Sequence, residues 1–449
     1  MVFVYQPSRA CFSPDVLKAA LSKALVPFYP LAGRLAEDRA SRQEIRCTGD
    51  GVLFLAARID ATLDDMGGLV PSDELRRMLV PSADGERSGI LLMLQVRCRL
   101  HQFCTGLFCF GILKRARVRA RRRRSSGAAR CASARPSTAC LTGDGRAFAN
   151  FLNTWAAIAR GVDAAAMPRP CLDRTLLRAR SPPAVRFDHA AVYSGRSGGG
   201  ANPNVASEAA VLPVSRNQVD ALKGSAGGAR SKKVTTFSAV VAHVWRCACM
   251  ARGLEGTEDT RLYMTSDARS RVRPPLPDGY LGNAVVRASA VAKVDAIISG
   301  SLGAAAKRVS DATARLNDEF VRSLVDHVEL ATSDAEAAAG LRIAEWKVIP
   351  ETDLWVVSWL GMAFSDVDFG WGRPAFVRQA TIKGGAVFLV PSPDGRGGLD
   401  GRRGHGARET RQVQGAVLRG PPASLFRVTA HACGQSFQDL TVSVCFVEL

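Results

Sequence analysis

Acidic residues are missing where the 449-residue chain is most basic. Between Arg97 and Arg135 stand twelve Lys and Arg residues with no Asp or Glu among them. Without that stretch the formal net charge falls from +19 to +7, so the basic character is largely local. The Arg run 121–124 has no interleaved aromatic residues and no binding-domain pattern around it, which argues against specific nucleic-acid recognition. As a polycation it would still attract polyanions without sequence preference, with strong salt dependence. Metal-ligand spacing is also missing. There are 12 Cys, but Cys247-Ala-Cys249 is tighter than a zinc pair and no second pair faces it. The apolar run Phe103 to Leu113 is too short to cross a bilayer. Met1-Val-Phe-Val-Tyr5 has no basic n-region and soon meets Pro7, unlike a secretory signal. These absences favour a reduced cytoplasmic protein with free thiols and no membrane partner.

What remains is rich enough to fold. Hydrophobic residues make up 47% of the chain, so a large core is accessible. The length suits two domains. Val2-Phe3-Val4-Tyr5 reads as a strand beginning abruptly at Met1. Ser13-Pro14-Asp15 starts a helix with a capping hydroxyl, Pro at the first position and an acid in the first turn. Val16, Leu17, Ala20, Leu21, Ala24 and Leu25 follow at helical spacing, and Pro27 ends the run. Residues 45–56 read as a hairpin with Gly49-Asp50-Gly51 at its tip. Leu91 to Val96 is a continuous apolar run, as in a buried strand.

Residues 97–139 then show no helical or strand period and read as a disordered basic insert. A helix resumes after Asp144, with Phe148, Phe151, Leu152, Trp155 and Ile158 on one face and Gly161 at its end. Residues 194–209 are the clearest linker. The expected division is an N-terminal half over 1–193, a crossover over 194–227 and a C-terminal half over 228–449. Within the second half, helices are expected over about 236–252 and 302–330, and strands over 353–360 and 386–390. From about residue 400 the periodicity fades.

Five residues organise this text: Asp368-Phe369-Gly370-Trp371-Gly372. Two glycines around a tryptophan make a permissive turn, and Asp368 can fix such a turn by accepting backbone N–H groups. Taken alone, the pentapeptide is a structural turn. It is accompanied by Val26-Pro-Phe-Tyr-Pro-Leu-Ala-Gly-Arg34, by Asp173-Arg-Thr-Leu-Leu-Arg-Ala-Arg180, by Ala242-His-Val-Trp-Arg-Cys247 and by Tyr280-Leu-Gly-Asn283. Together these motifs resemble the plant BAHD acyltransferase family, over about residues 2–96, 140–193 and 228–399. The resemblance implies an α/β, two-domain chloramphenicol acetyltransferase-like fold of mixed sheets flanked by helices. It also implies transfer of an aromatic, hydroxycinnamoyl-type acyl group from acyl-CoA to a hydroxyl or amine, by a monomer, with no metal or bound cofactor.

In that family a His-x-x-x-Asp motif supplies a histidine that takes the acceptor's proton, a task suited to a group titrating near neutrality. Its Asp holds the loop, typically through an arginine of the other domain. The Asp here is Asp144. The histidine position is occupied by Cys140. Three readings stand side by side. A thiolate of depressed pKa can act as base or nucleophile. The copy is catalytically poor or inactive. Or residues 97–139, longer than the strand and loop the family needs there, are translated intron or a shifted frame, and the tail from about 400 is similarly damaged. None of His101, His189, His243, His327, His405 and His431 offers a convincing replacement.

Other roles follow from the resemblance alone. Arg269 or Arg271 is the expected partner of Asp144, against two solvated charges before a proline turn. Ser358 and Trp359 resemble pocket-lining positions, where an indole N–H can meet a thioester oxyanion. Lys232 and Lys233, before a helix start, are candidates for the CoA phosphates or else simply solvated. The context Ser358-Trp359-Leu360-Gly361-Met362 favours an amine or polyamine acceptor over shikimate or quinate.

Overall fold

In the computed structural model the described residues are 1–5, 13–38, 43–58, 69–80, 89–98, 107–111, 142–193, 208–209, 211–212, 214–227, 234–333, 349–350, 352–380, 382, 386–391 and 447–448. The chain opens with β1 (Val2–Val4) and α1 (Pro14–Leu25). The strand β2 (Arg34–Glu37) follows, then β3 (Gln43–Arg46), β4 (Leu53–Arg58), α2 (Asp73–Leu79), β5 (Met93–Cys98), β6 (Leu107–Gly111) and α3 (Gly145–Ala159). Next come α4 (Ala190–Tyr193), β7 (Glu208–Ala209), α5 (Arg216–Gly227), α6 (Thr236–Ala251), β8 (Asp259–Asp267), β9 (Val285–Lys293), α7 (Val294–Ile298), α8 (Leu302–Ala314) and α9 (Asp318–Ser333). The order ends with β10 (Leu354–Ser358), β11 (Phe376–Arg378), β12 (Ala386–Leu389) and β13 (Val447–Glu448).

Two mixed sheets form the frame. The first runs β11-β1-β6-β5-β4 and the second β12-β10-β8-β9. Strand β1 is fully buried, as a Val-Phe-Val run should be when both faces are covered. It pairs antiparallel with β6 on one edge and with β11 on the other. Residues far downstream of the 194–209 linker therefore complete the first sheet. In the second sheet, β8 and β9 form a nine-residue antiparallel ladder, and β10 runs parallel to both β8 and β12.

Three sequence expectations change. Residues 107–111, inside the stretch read as unpatterned, form β6, paired between β1 and β5. The pairing comes from other strands, β1 being distant in the sequence, and local periodicity does not report it. The expected hairpin over 45–56 does not form. Instead β3 pairs with β2, while β4 joins β5 in parallel. The turn between them has positive φ at Gly49 and Gly51, and Arg34 anchors it by donating Nη1 to the Gly51 carbonyl at 2.7 Å and Nη2 to that of Asp50 at 3.2 Å. The helix expected over 302–330 is two helices. Arg271 Nη1 caps the first by donating to the carbonyls of Thr313 and Leu316, and the Asn317 carboxamide accepts from Phe320 N, opening the second.

Helix α3 carries the first core. Phe151 and Trp155 are fully buried on it. The Trp155 indole donates to the Leu17 carbonyl at 3.0 Å, joining α3 to α1. Its ring meets Phe369 edge-on at 4.7 Å. Phe369 belongs to the Asp368–Gly372 turn, which forms as its residues suggest. Asp368 Oδ1 accepts from Gly370 N and Gly372 N at 2.7 and 2.9 Å, and both glycines have positive φ. Tyr5, next to β1, stands edge-on to Trp371 at 5.3 Å and donates its hydroxyl to the Val367 carbonyl at 2.6 Å. Burial, reinforced by the charge of Asp368, holds that phenol well above its usual pKa, so it remains a donor. Tyr5→Phe should lower stability by about 1–2 kcal/mol by leaving a buried carbonyl without its donor. A urea midpoint unchanged from wild type would show that this bond does not hold the turn to β1.

Candidate active site

Asp144, itself in an extended conformation, caps α3. Its Oδ1 accepts from Ala147 N at 3.0 Å, satisfying a first-turn donor that has no partner within the helix. The same carboxylate receives Arg269 in a two-pronged pair. Arg269 Nη1 donates to Oδ2 at 2.7 Å and Nη2 to Oδ1 at 3.0 Å. A fourth bond comes from Ala284 N to Oδ2 at 2.9 Å. Each side chain is 3% exposed. Of the two candidate arginines, Arg269 is thus the partner of Asp144, while Arg271 serves the helix carbonyls described above.

The guanidinium has further partners. Its Nη1 donates to Asp267 Oδ1 at 3.1 Å, and its Nη2 to the carbonyls of Tyr280 and Gly282 at 3.1 and 3.3 Å. Burial opposes the charge of Arg269, but the bonds and charges of Asp144 and Asp267 outweigh it and raise the pKa. Gly282 is needed for close approach. A Cβ there would stand 2.4 Å from the Tyr280 ring, and the Gly282 carbonyl also accepts from Asp144 N at 3.3 Å. From the other side, Arg174 Nη2 donates to the Thr142 carbonyl at 3.0 Å. The backbone at 142–144 is therefore held from three segments. Cys140 lies outside the described residues.

Ser358 and Trp359 lie at the end of β10. The Ser358 hydroxyl accepts from Leu360 N at 3.2 Å, which commits it to a local turn. Trp359 is buried between Phe364 and Phe388, with ring centres at 5.3 and 5.7 Å. It edges a small, shallow recess with Phe364, Ser365, Val377, Val390 and Pro391. The turn that follows reaches the start of α3. A Cβ on Gly145 would come 3.0 Å from Met362 Sδ, and Asn153 donates to the Ala363 carbonyl at 2.8 Å. The fold thus gathers Asp144, Arg269 and the 359–364 turn around one helix N-terminus.

Known proteins share this arrangement of sequence. The model of the Transferase family matches residues 1–112 and 138–400. The chain belongs to this family, the BAHD acyltransferases that its motifs resemble. The match skips most of the Arg-rich stretch and stops where the periodicity fades. Putrescine hydroxycinnamoyltransferase 1 of Oryza sativa subsp. japonica is 56% identical over 417 residues, 89% of this chain and 86% of that protein. Shikimate O-hydroxycinnamoyltransferase of Nicotiana tabacum is 37% identical over 410 residues, 88% of this chain and 86% of that protein. Among solved structures, vinorine synthase matches with a TM-score of 0.61 at 22% identity, covering 88% of this chain and 83% of its own. That likeness speaks for the BAHD fold, a mixed α/β architecture. The protein is accordingly an acyltransferase that moves groups other than aminoacyl groups.

The remaining candidates are placed as follows. His101, His405, His431, Lys232 and Lys233 lie outside the described residues. The helix start that the two lysines precede is closed by its own side chains, Thr235 and Ser238, in a reciprocal capping box. His243 is half-buried on α6, with its Nε2 3.5 Å from Cys247 Sγ. Burial pushes that thiol up to about 12, so it is inert as a nucleophile at neutral pH. His189 is buried, with Nε2 2.9 Å from Ser323 Oγ and its ring 5.4 Å from that of His327. Burial and then the neighbouring His327 lower its pKa to about 4, so it packs as a neutral ring. Arg146, Arg174 and Asp267 are residues that sequence reasoning left without a role. For Arg146 a signal existed: a cation in the first turn of a helix opposes the macrodipole unless something answers it.

Asp144→Ala should lower stability by about 3–5 kcal/mol, because Arg269 is left buried without its main counter-charge. Adding Arg269→Met should recover part of that loss, and additive losses in denaturant unfolding would show that the pair is not coupled. His189 supplies a pH test. Its folded pKa of about 4 lies below its ordinary 6.5, so its contribution is complete above pH 6.5 and is lost as pH falls towards 4. The melting temperature should fall across that window, less steeply in His189→Phe. Equal slopes for the two proteins would refute the assignment.

Proposed function

We propose that this acyltransferase moves a hydroxycinnamoyl group from its CoA thioester to the nitrogen of an aliphatic amine, with a diamine such as putrescine as the leading acceptor. The observation that carries the reading is the Asp144 clamp. Four hydrogen bonds on one buried carboxylate fix the backbone just after position 140, where the family's base stands. Similarity favours the amine, because the relative acting on putrescine is 56% identical and the one acting on shikimate is 37% identical.

The chemistry asks little of the protein beyond positioning. The amine lone pair attacks the thioester carbonyl carbon, the C–S bond breaks, and the proton lost by nitrogen ends on the departing CoA thiolate. A base at position 140 carries that proton in the family pattern. With Cys140 in its place, turnover is limited by proton transfer. A neutral alkylamine attacks without first losing a proton, so an amine acceptor tolerates the substitution better than an alcohol does.

The test is release of CoA thiol from p-coumaroyl-CoA and feruloyl-CoA with putrescine or shikimate, for the chain as it stands and for Cys140→His. The expected outcome is amide formation with putrescine, with kcat raised by about 10²–10⁴ in Cys140→His, the usual span for a general base. Absence of transfer by both folded proteins would overturn the reading. Faster transfer to shikimate than to putrescine would overturn the acceptor assignment.

A further inference from the structure

The Asp144–Arg269 pair does not end at Arg269. Asp267, the last residue of β8, grips Arg269 twice: Oδ1 accepts from its backbone N at 2.9 Å and from Nη1 at 3.1 Å. The other oxygen, Oδ2, accepts from Arg146 Nη1 at 3.2 Å. Arg146 Nη2 in turn donates to Asp278 Oδ1 at 2.8 Å, and Asn150 donates to the Asp278 carbonyl at 3.1 Å. A line of alternating charges therefore runs inward from an exposed Asp278 through Arg146 and Asp267 to Arg269 and Asp144.

Charge balance gives the line a purpose. Asp144 and Asp267 share one guanidinium, which leaves a net negative charge next to a buried site. Arg146 restores neutrality there. It does so from the first turn of α3, a position where a cation opposes the helix dipole. Both charges thus stand where their surroundings alone would not favour them. Geometry supports the same conclusion. Asp144 and the carbonyls of Tyr280 and Gly282 hold the Nη2 side of the guanidinium, and Asp267 adds a second carboxylate on Nη1. Two carboxylates on Nη1, with one of them also bonded to the Arg269 backbone, leave it one orientation.

We infer that Asp267, held by Arg146, is a positioning residue for acyl transfer: it fixes the Arg269 guanidinium that grips Asp144, and through Asp144 the backbone at 142–144. The inference rests on the acyl-transfer reading above. Neither residue needs to touch substrate. Their effect is on the placement of the reacting groups, where small displacements lower turnover steeply.

The test measures steady-state kinetics with p-coumaroyl-CoA and putrescine, in the Cys140→His background, for Asp267→Asn, Arg146→Gln, Arg146→Lys and the double variant Asp267→Asn/Arg146→Gln. The expected result is a fall in kcat of about tenfold for Asp267→Asn, with KM for both substrates within about twofold, since only positioning is lost. Arg146→Gln should act in the same direction, Arg146→Lys should restore most of the rate, and the double variant should match Asp267→Asn alone. Arg146 is half-exposed, so Arg146→Gln reads the same link if Asp267→Asn does not fold. A kcat within twofold of the parent, or a loss matched by the fraction of unfolded protein, overturns the inference. If the parent itself transfers no acyl group, the functional reading fails and this inference falls with it.

Discussion

A carboxylate and a guanidinium taken out of water together can leave a protein no more stable than an apolar pair would, because desolvation consumes most of their attraction. What such a pair supplies here is direction. Asp144 accepts four hydrogen bonds, one from its own helix, two from Arg269 and one from the backbone at Ala284. Nearly every lone-pair site on the carboxylate is spoken for. The start of α3 therefore has one position relative to the 267–284 segment. Everything near the reacting centre is built outward from that point.

The surrounding scaffold is stiff for a different reason. Trp155, Phe151 and Phe369 are large, fully buried rings; Trp155 meets Phe369 edge-on, Phe151 meets Phe28 in the same way, and the indole of Trp155 is bonded to a carbonyl of α1. Rings of that size have few alternative packings at interior density. The Asp368–Gly372 turn contributes Phe369 and Trp371 to that core. It supports α3 from beneath while Arg269 grips its first turn. Two unrelated devices, apolar packing along the helix and a buried ion pair at its end, hold the same element.

Much of this was legible in the chain itself. Local chemistry was written in local residues: the Ser13-Pro14 helix start, the stop at Gly161 and the turn made by Asp368 all formed as their residues indicate. Asp144 and its arginine were recognisable through a family pattern, although only the structure could choose Arg269 over Arg271. What sequence concealed depends on partners distant in the chain. Strand β6 is defined by its pairing with β1 and β5, strands that lie outside its own stretch of sequence. Helices α8 and α9 look like one apolar period until Arg271 caps the break. Asp267 drew no role from the sequence, because an arginine 121 positions away shares it and local text does not record such a partner.

The pairing of β1 with β11 also governs the order of events during synthesis. Val2, Phe3 and Val4 leave the ribosome some 370 residues before their partners Arg378, Val377 and Phe376. At bacterial-to-eukaryotic elongation speeds of 5–20 residues per second, that is a wait of roughly 20–75 s. Through that interval one edge of a wholly apolar strand is unpaired, a surface of the kind that recruits other strands. The first sheet is thus completed only late in translation, and its β1 edge stays open to other strands until β11 arrives.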